Sequence, residues 1–212
     1  MIPVKFEKNY CPNLFSWKEL SDIVNQYILL TPERFKVNLP PDYLKKYSWR
    51  PDRWSLTKDI IPSHILKDII DEYVCYIGEM SRCTEKINAF AKSIEDEYNM
   101  PTDAHIYMCK NVNVNHPFGI HFDKSHNVIV QCEGETNFKV WNKVKDVNQQ
   151  PYQMSIPEDP ILDVDMQSGD AIWIPKSFPH LATSNTPRMS VSFPFIRTHE
   201  EEPLRNREWI QL

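Results

Sequence analysis

The stretch Gly119-Ile-His121-Phe-Asp123-Lys-Ser-His126-Asn127-Val-Ile-Val-Gln131-Cys-Glu-Gly134 carries two signals at once. Its second half, Asn127–Cys132, is a short apolar run between turn residues, the pattern of a β-strand. Its first half holds a histidine and an aspartate two positions apart. Residues two apart on a strand point to the same face. His121 and Asp123 are therefore expected to project together, an imidazole nitrogen and a carboxylate aimed at one metal ion.

Working outward toward the C-terminus, Ser168-Gly169-Asp170-Ala-Ile-Trp-Ile-Pro175 reads as a tight turn followed by an apolar strand, and Phe178-Pro179-His180 follows it. His180 lies 57 positions after Asp123, at a place where a strand end brings a third ligand to a barrel mouth. Two histidines and one carboxylate, with open positions left over, form the facial triad of non-haem Fe(II) oxygenases. Eight positions further, Arg188-Met-Ser190 opens the apolar strand Val191–Phe195, with Arg188 and Ser190 on one face. A guanidinium fork beside a hydroxyl is a natural clamp for the far carboxylate of a dicarboxylic acid. His126 and His116 flank the motif and are read as non-ligands.

The rest of this half supports a β-rich fold. Apolar runs at Ala104–Met108, Gly119–Phe122, Asn127–Cys132, Asn137–Trp141, Ile161–Val164, Ala171–Ile174 and Met189–Ile196 alternate with turn residues. Gly119, Gly134 and Gly169 fall at the turns, where positive φ is easiest. Strands at this spacing indicate a small barrel or sandwich. The first hundred residues look helical. Ser16 and Glu19 form a capping box before Leu20, Ile23, Val24, Tyr27 and Ile28. A second helix is expected from Ser63, its apolar positions running through Ile70, Tyr73 and Val74 to Ile77, with Gly78 near its end. A third is expected from about Ser81 to Tyr98. The fold class is thus mainly β (α+β): residues 101–212 form the barrel core, and residues 1–100 form a helical extension that buttresses it, one compact unit overall.

Composition narrows the function classes. At 212 residues the chain suits one barrel with a helical extension, and 41% hydrophobic residues supply a core. A net charge of −5 disfavours a global electrostatic grip on nucleic acid. The five cysteines are scattered and show no CxxC pair, which fits neither a zinc framework nor a disulfide scaffold. Met1–Cys11 has no signal-type apolar run, and no window approaches a membrane span. The expectation is a soluble, cytoplasmic protein with no membrane contact.

On these residues the chain resembles the Fe(II)/2-oxoglutarate-dependent dioxygenase superfamily, in particular its JmjC/cupin-like branch. The resemblance covers roughly residues 104–196. It implies a double-stranded β-helix (jelly-roll or cupin barrel) and Fe(II) held by His121, Asp123 and His180. It also implies consumption of the cosubstrate 2-oxoglutarate and O₂, with hydroxylation through a ferryl intermediate. One departure concerns the cosubstrate. The JmjC branch grips it with a Lys or Arg just after the hairpin glycine, where this chain has Thr136. Lys139 serves if the hairpin is longer. Arg188 with Ser190 matches the Arg-x-Ser clamp of other branches and is favoured. Tyr107 is a further candidate for the same carboxylate, and Asn127 shares strand parity with Asp123 and is a candidate cavity residue.

Blander readings compete with these. Alone, His121 and Asp123 fit a hydrogen-bonded pair at a strand edge, and Arg188 fits a partner for a surface acid. Trp141 and Trp173 are more often core residues. The basic and aromatic stretch Tyr43–Trp54 reads as a solvated loop, as does the acidic run His199–Glu202. Two other functions remain: a non-catalytic cupin-type binding module, and a metal cupin enzyme that works without 2-oxoglutarate. The sequence leans to a protein side chain or a small molecule as substrate, with RNA possible. It leaves the oligomeric state open.

Overall fold

The computed structural model describes residues 2–24, 34–37, 63–112, 119–143 and 159–195. Two antiparallel sheets hold ten strands. The larger has the order β1-β8-β5-β10-β4-β3-β2 and the smaller the order β7-β6-β9. The larger comprises β1 (Lys5–Glu7), β2 (Phe35–Val37), β3 (Cys75–Ile77), β4 (His105–Cys109), β5 (His126–Glu133), β8 (Ala171–Ile174) and β10 (Arg188–Phe195). The smaller comprises β6 (Thr136–Val140), β7 (Leu162–Met166) and β9 (His180–Thr183).

Alternation along the strands sorts side chains into two cores. One face of the large sheet presents Ile106, Val128, Trp173 and Val191 to three helices, α1 (Trp17–Val24), α2 (Ser63–Glu72) and α3 (Glu85–Tyr98), which bury Leu20, Leu66 and Ile87 against it. The opposite face meets the small sheet. There Ile129, Ile172 and Ile174 pack on Phe138, Val140 and Met166. The second core ends where β10 and β4 begin, and polar side chains replace apolar ones on that part of the inner face. Two antiparallel sheets face to face, with helices on the outside of the larger, make a double-stranded β-helix.

Local signals explain several boundaries. Ser16 Oγ accepts the Glu19 backbone N–H at 3.2 Å and donates to the Glu19 carboxylate at 2.7 Å, so α1 opens on its expected capping box. Its continuation through Tyr27 and Ile28 lies outside the described residues. Helix α3 starts later than the expected Ser81. Thr84 caps it by accepting the Ile87 N–H, and Asn99 closes it in the left-handed conformation at φ 51°. The second helix is shorter than expected. It stops at Glu72, and Cys75-Tyr-Ile77 leaves it to become β3 between β2 and β4. Aromatic and β-branched residues suit a strand, and pairing on both sides overrides the helical spacing of Tyr73, Val74 and Ile77. With β1 and β2, this puts three strands from the first hundred residues into the sheet that holds the C-terminal strands. Gly134 turns β5 into β6 at φ 69°, and a Cβ there would stand 1.9 Å from the Pro187 carbonyl oxygen, so only glycine fits.

Candidate active site

The backbone brings the two distant stretches together before any side chain acts. His121 and His180 form an isolated antiparallel bridge. The His121 N–H donates to the His180 carbonyl at 3.1 Å, and the His180 N–H donates back at 2.7 Å. The Ser177 N–H donates to the Asp123 carbonyl at 2.9 Å. This corrects two expectations: 119–122 is not a regular strand, and His180 does not end the apolar strand Ala171–Ile174 but opens a further strand, β9. Bridging sets the two imidazoles side by side with centroids 4.3 Å apart.

Each ring is oriented the same way. His121 Nδ1 lies 3.0 Å from the Gly119 carbonyl, and His180 Nδ1 lies 3.1 Å from the Phe178 carbonyl. A carbonyl only accepts, so Nδ1 carries a proton in both rings, which leaves Nε2 as the ring atom suited to ligate a metal. His180 Nε2 lies 3.7 Å from Asp123 Oδ2. One ligand atom from each of His121, Asp123 and His180 falls within a common 4.8 Å. An ion with bonds of about 2.1 Å spans up to about 4.2 Å between ligands, so small side-chain rotations close this set onto one ion. Burial first, and the neighbouring His121 second, hold the His180 imidazole well below its usual pKa. It is therefore neutral, as a metal ligand must be.

The three residues open onto a narrow cleft, also lined by Tyr107, Thr136, Arg188, Ser190 and Ser192. Arg188 leads β10 into this cleft. It is buried, and among the described residues neither Nη1 nor Nη2 has a hydrogen-bond partner. Burial pulls its pKa below the usual guanidinium value, yet a guanidinium stays protonated in proteins. The Thr136 hydroxyl beside it is likewise buried without a partner. Buried polar atoms are rarely left unpaired, and donors of this kind can receive an anion. The donor set in the same cleft, two imidazoles and a carboxylate without thiolate, suits Fe(II).

The other candidates fall in different places. Ser190 and Tyr107 line the cleft and pair across β10 and β4, and Tyr107 packs edge-on to Tyr76 with centroids 5.1 Å apart. Strand alternation leaves Arg188 and Ser190 on the cleft side, and the register shift between Met189 and Ser190 falls in the pairing with β5. Lys139 is placed elsewhere: it pairs with Asp163 at 3.2 Å, half exposed, and does not line the cleft. Strand alternation explains this, because Thr136, Phe138 and Val140 face inward and Asn137 and Lys139 face outward. Asn127 is not in the cleft either. It stands behind Asp123 and donates from Nδ2 to Oδ2 at 2.5 Å. Gln131 is fully buried and donates to the Glu133 carbonyl. Trp141 and Trp173 are buried. His116, Tyr43–Trp54 and His199–Glu202 lie outside the described residues. Sequence reasoning missed Ser192, whose signal was its even spacing from Arg188 and Ser190 on one strand.

The model of the JmjC domain matches residues 81–202, more than half of the chain. This chain belongs to the JmjC domain family. Among solved structures, this JmjC chain is similar to YcfD, a ribosomal oxygenase from Escherichia coli, in complex with cobalt and 2-oxoglutarate. The identity is 17% and the TM-score 0.60, and the match covers 93% of this chain and 49% of that one. The same protein with cobalt and succinic acid gives 17% identity and a TM-score of 0.59, covering 94% and 49%. At such identity the likeness is one of fold. The chain spans about half the length of the YcfD structures. No curated protein matches it. Among the described residues no helix is long and apolar enough to cross a membrane.

Proposed function

We propose that this chain is an Fe(II)- and 2-oxoglutarate-dependent oxygenase that hydroxylates its substrate, or demethylates it by way of hydroxylation. The observation that carries the reading is the buried guanidinium of Arg188, whose Nη1 and Nη2 have no hydrogen-bond partner among the described residues, in the same cleft as the His121, Asp123 and His180 set. A binding module, or a metal cupin enzyme without a keto acid, has no use for an uncompensated buried cation there.

In this reading His121, Asp123 and His180 hold Fe(II) through two Nε2 lone pairs and a carboxylate oxygen. Bound there, iron supplies the redox chemistry by which O₂ converts 2-oxoglutarate to succinate and CO₂ and places one oxygen atom on a substrate C–H bond. The protein's own part is orientation. Arg188 neutralises the C5 carboxylate of 2-oxoglutarate, and its fork fixes that carboxylate's plane. Thr136 donates its free hydroxyl to the same group, and Ser190 and Tyr107 bound the channel. With the far end fixed, the keto end reaches the metal in one pose. The presence of Asp123, rather than a small residue, fills the position where a halide would otherwise bind, which favours hydroxylation over halogenation. Supporting the reading further, the family is JmjC and the YcfD structures of like fold hold cobalt with 2-oxoglutarate or succinic acid. The substrate class we favour is a protein side chain or a small molecule, and a screen should also include RNA.

The test is succinate formation by the purified chain with Fe(II) and 2-oxoglutarate, with and without O₂. Production that needs all three, and that disappears in Asp123→Ala and His180→Ala, is expected. Unchanged turnover in either variant would sink the metal assignment, and absence of any O₂-dependent succinate would sink the function.

A further inference from the structure

Behind the ligand set lies a second layer of polar contacts that no ligand explains. Asp123 is half-exposed, but Asn127, at its back, is only 3% exposed. Asn127 Nδ2 donates to Asp123 Oδ2 at 2.5 Å. On its far side, Asn127 Oδ1 accepts from the Ser192 hydroxyl at 3.1 Å, a fully buried contact between side chains 65 positions apart. The direction of both bonds is forced by chemistry. An ionised carboxylate only accepts, so the amide must turn its NH₂ toward Asp123. Its oxygen then faces Ser192, and the serine must donate. Without that hydroxyl the amide loses the contact that holds it against rotation.

We infer that Asn127 and Ser192 are positioning residues for the metal carboxylate: Ser192 locks the amide of Asn127, and Asn127 fixes which way Asp123 Oδ2 faces. The inference rests on the proposed metal site. Its chemical content is the pre-orientation of a hard oxygen ligand by an outer hydrogen bond, whose loss typically weakens metal affinity about 10- to 100-fold. It also gives β10 a double duty. Arg188 and Ser192, four positions apart on one rigid strand, reach the keto-acid end and the metal end of the same cleft. Asn127 belongs to β5, whose register with β10 is fixed by the pairing of Val191 with Val130 and Ser192 with Ile129, so the hydroxyl and the amide meet without any loop.

The test is a Mn(II) titration of the full chain without keto acid, following the free aqua ion by electron paramagnetic resonance. The variants are Asn127→Ala, Ser192→Ala and Ser192→Thr, each checked for folding by near-ultraviolet circular dichroism. Asn127→Ala should weaken Mn(II) binding about 10- to 100-fold and Ser192→Ala by a smaller factor, with Ser192→Thr restoring it because the hydroxyl returns. Visible spectra of the Co(II) forms should shift in the two alanine variants, reporting a changed ligand geometry. Should Asn127→Ala fail to fold, Ser192→Ala, which removes only one oxygen, decides alone. The inference is overturned if the folded alanine variants bind Mn(II) within about twofold of the parent, or if Ser192→Thr is as weak as Ser192→Ala. A parent chain that binds no Mn(II) overturns the metal reading along with it, whereas binding by parent and alanine variants alike overturns the positioning role only.

Discussion

The two faces of β10 both bury side chains and do opposite things. Toward the helices, Met189, Val191 and Phe193 show no exposure, and each apolar area removed from water stabilises the fold. Toward the small sheet, Arg188 is 7% and Ser192 5% exposed. There burial works against the fold, because a desolvated cation whose Nη1 and Nη2 find no partner among the described residues raises the energy of the empty state. The contrast teaches how to read burial. On the helix face it measures stability, and on the inner face it measures how strongly the site calls for an anion.

Each prediction presses on that contrast. The largest effect is expected on the helix side, where Phe193→Ala should cost about 3–5 kcal/mol in urea unfolding; an unchanged midpoint would break the comparison. On the inner side, Arg188→Met should leave stability unchanged or raise it, yet weaken 2-oxoglutarate binding to the Mn(II) form by about 2–4 kcal/mol, measured calorimetrically. A destabilised variant that still binds the keto acid would reverse the roles of the two faces. Acid should draw the same line. His180 has a folded pKa below its unfolded value, so the unfolded chain binds the proton more tightly. Its stability contribution is whole above the ordinary histidine range and falls as pH drops from there toward the folded value. Thermal melts of the metal-free chain should therefore fall over that window, and His180→Gln should flatten the slope. Thr136→Val should reduce 2-oxoglutarate affinity by only about 0.5–1.5 kcal/mol, with no loss of stability. The smallest change is expected for Lys139→Ala, since an exposed ion pair with Asp163 contributes about 0–1 kcal/mol and lies away from the cleft. A large rise in the 2-oxoglutarate requirement there would move the clamp to β6.

Much of this was legible because short-range rules carried it. Period-two alternation separates Arg188, Ser190 and Ser192 from Met189, Val191 and Phe193, and the capping box at Ser16 and Glu19 opens α1 where expected. The β-rich second half and its glycine turns follow from the order of apolar runs. What was not legible depended on partners far away in the chain. Cys75–Ile77 has helical spacing on paper and becomes a strand only because β2 and β4 flank it. The segment around His121 reads as a strand but pairs through a single bridge. Asn127 shows the limit best: parity put it on the cleft side, and only the register with Ser192, set by sheet pairing, reveals that it stands behind Asp123 rather than beside the cosubstrate.

The most direct test is a crystal structure of the chain soaked without oxygen in Mn(II) and 2-oxoglutarate. One metal ion is expected on His121, Asp123 and His180, with the keto end of the acid on that ion and the C5 carboxylate on the Arg188 guanidinium and Thr136. A carboxylate lodged on Lys139, or an Arg188 fork still without an anion while the acid is bound, would contradict it.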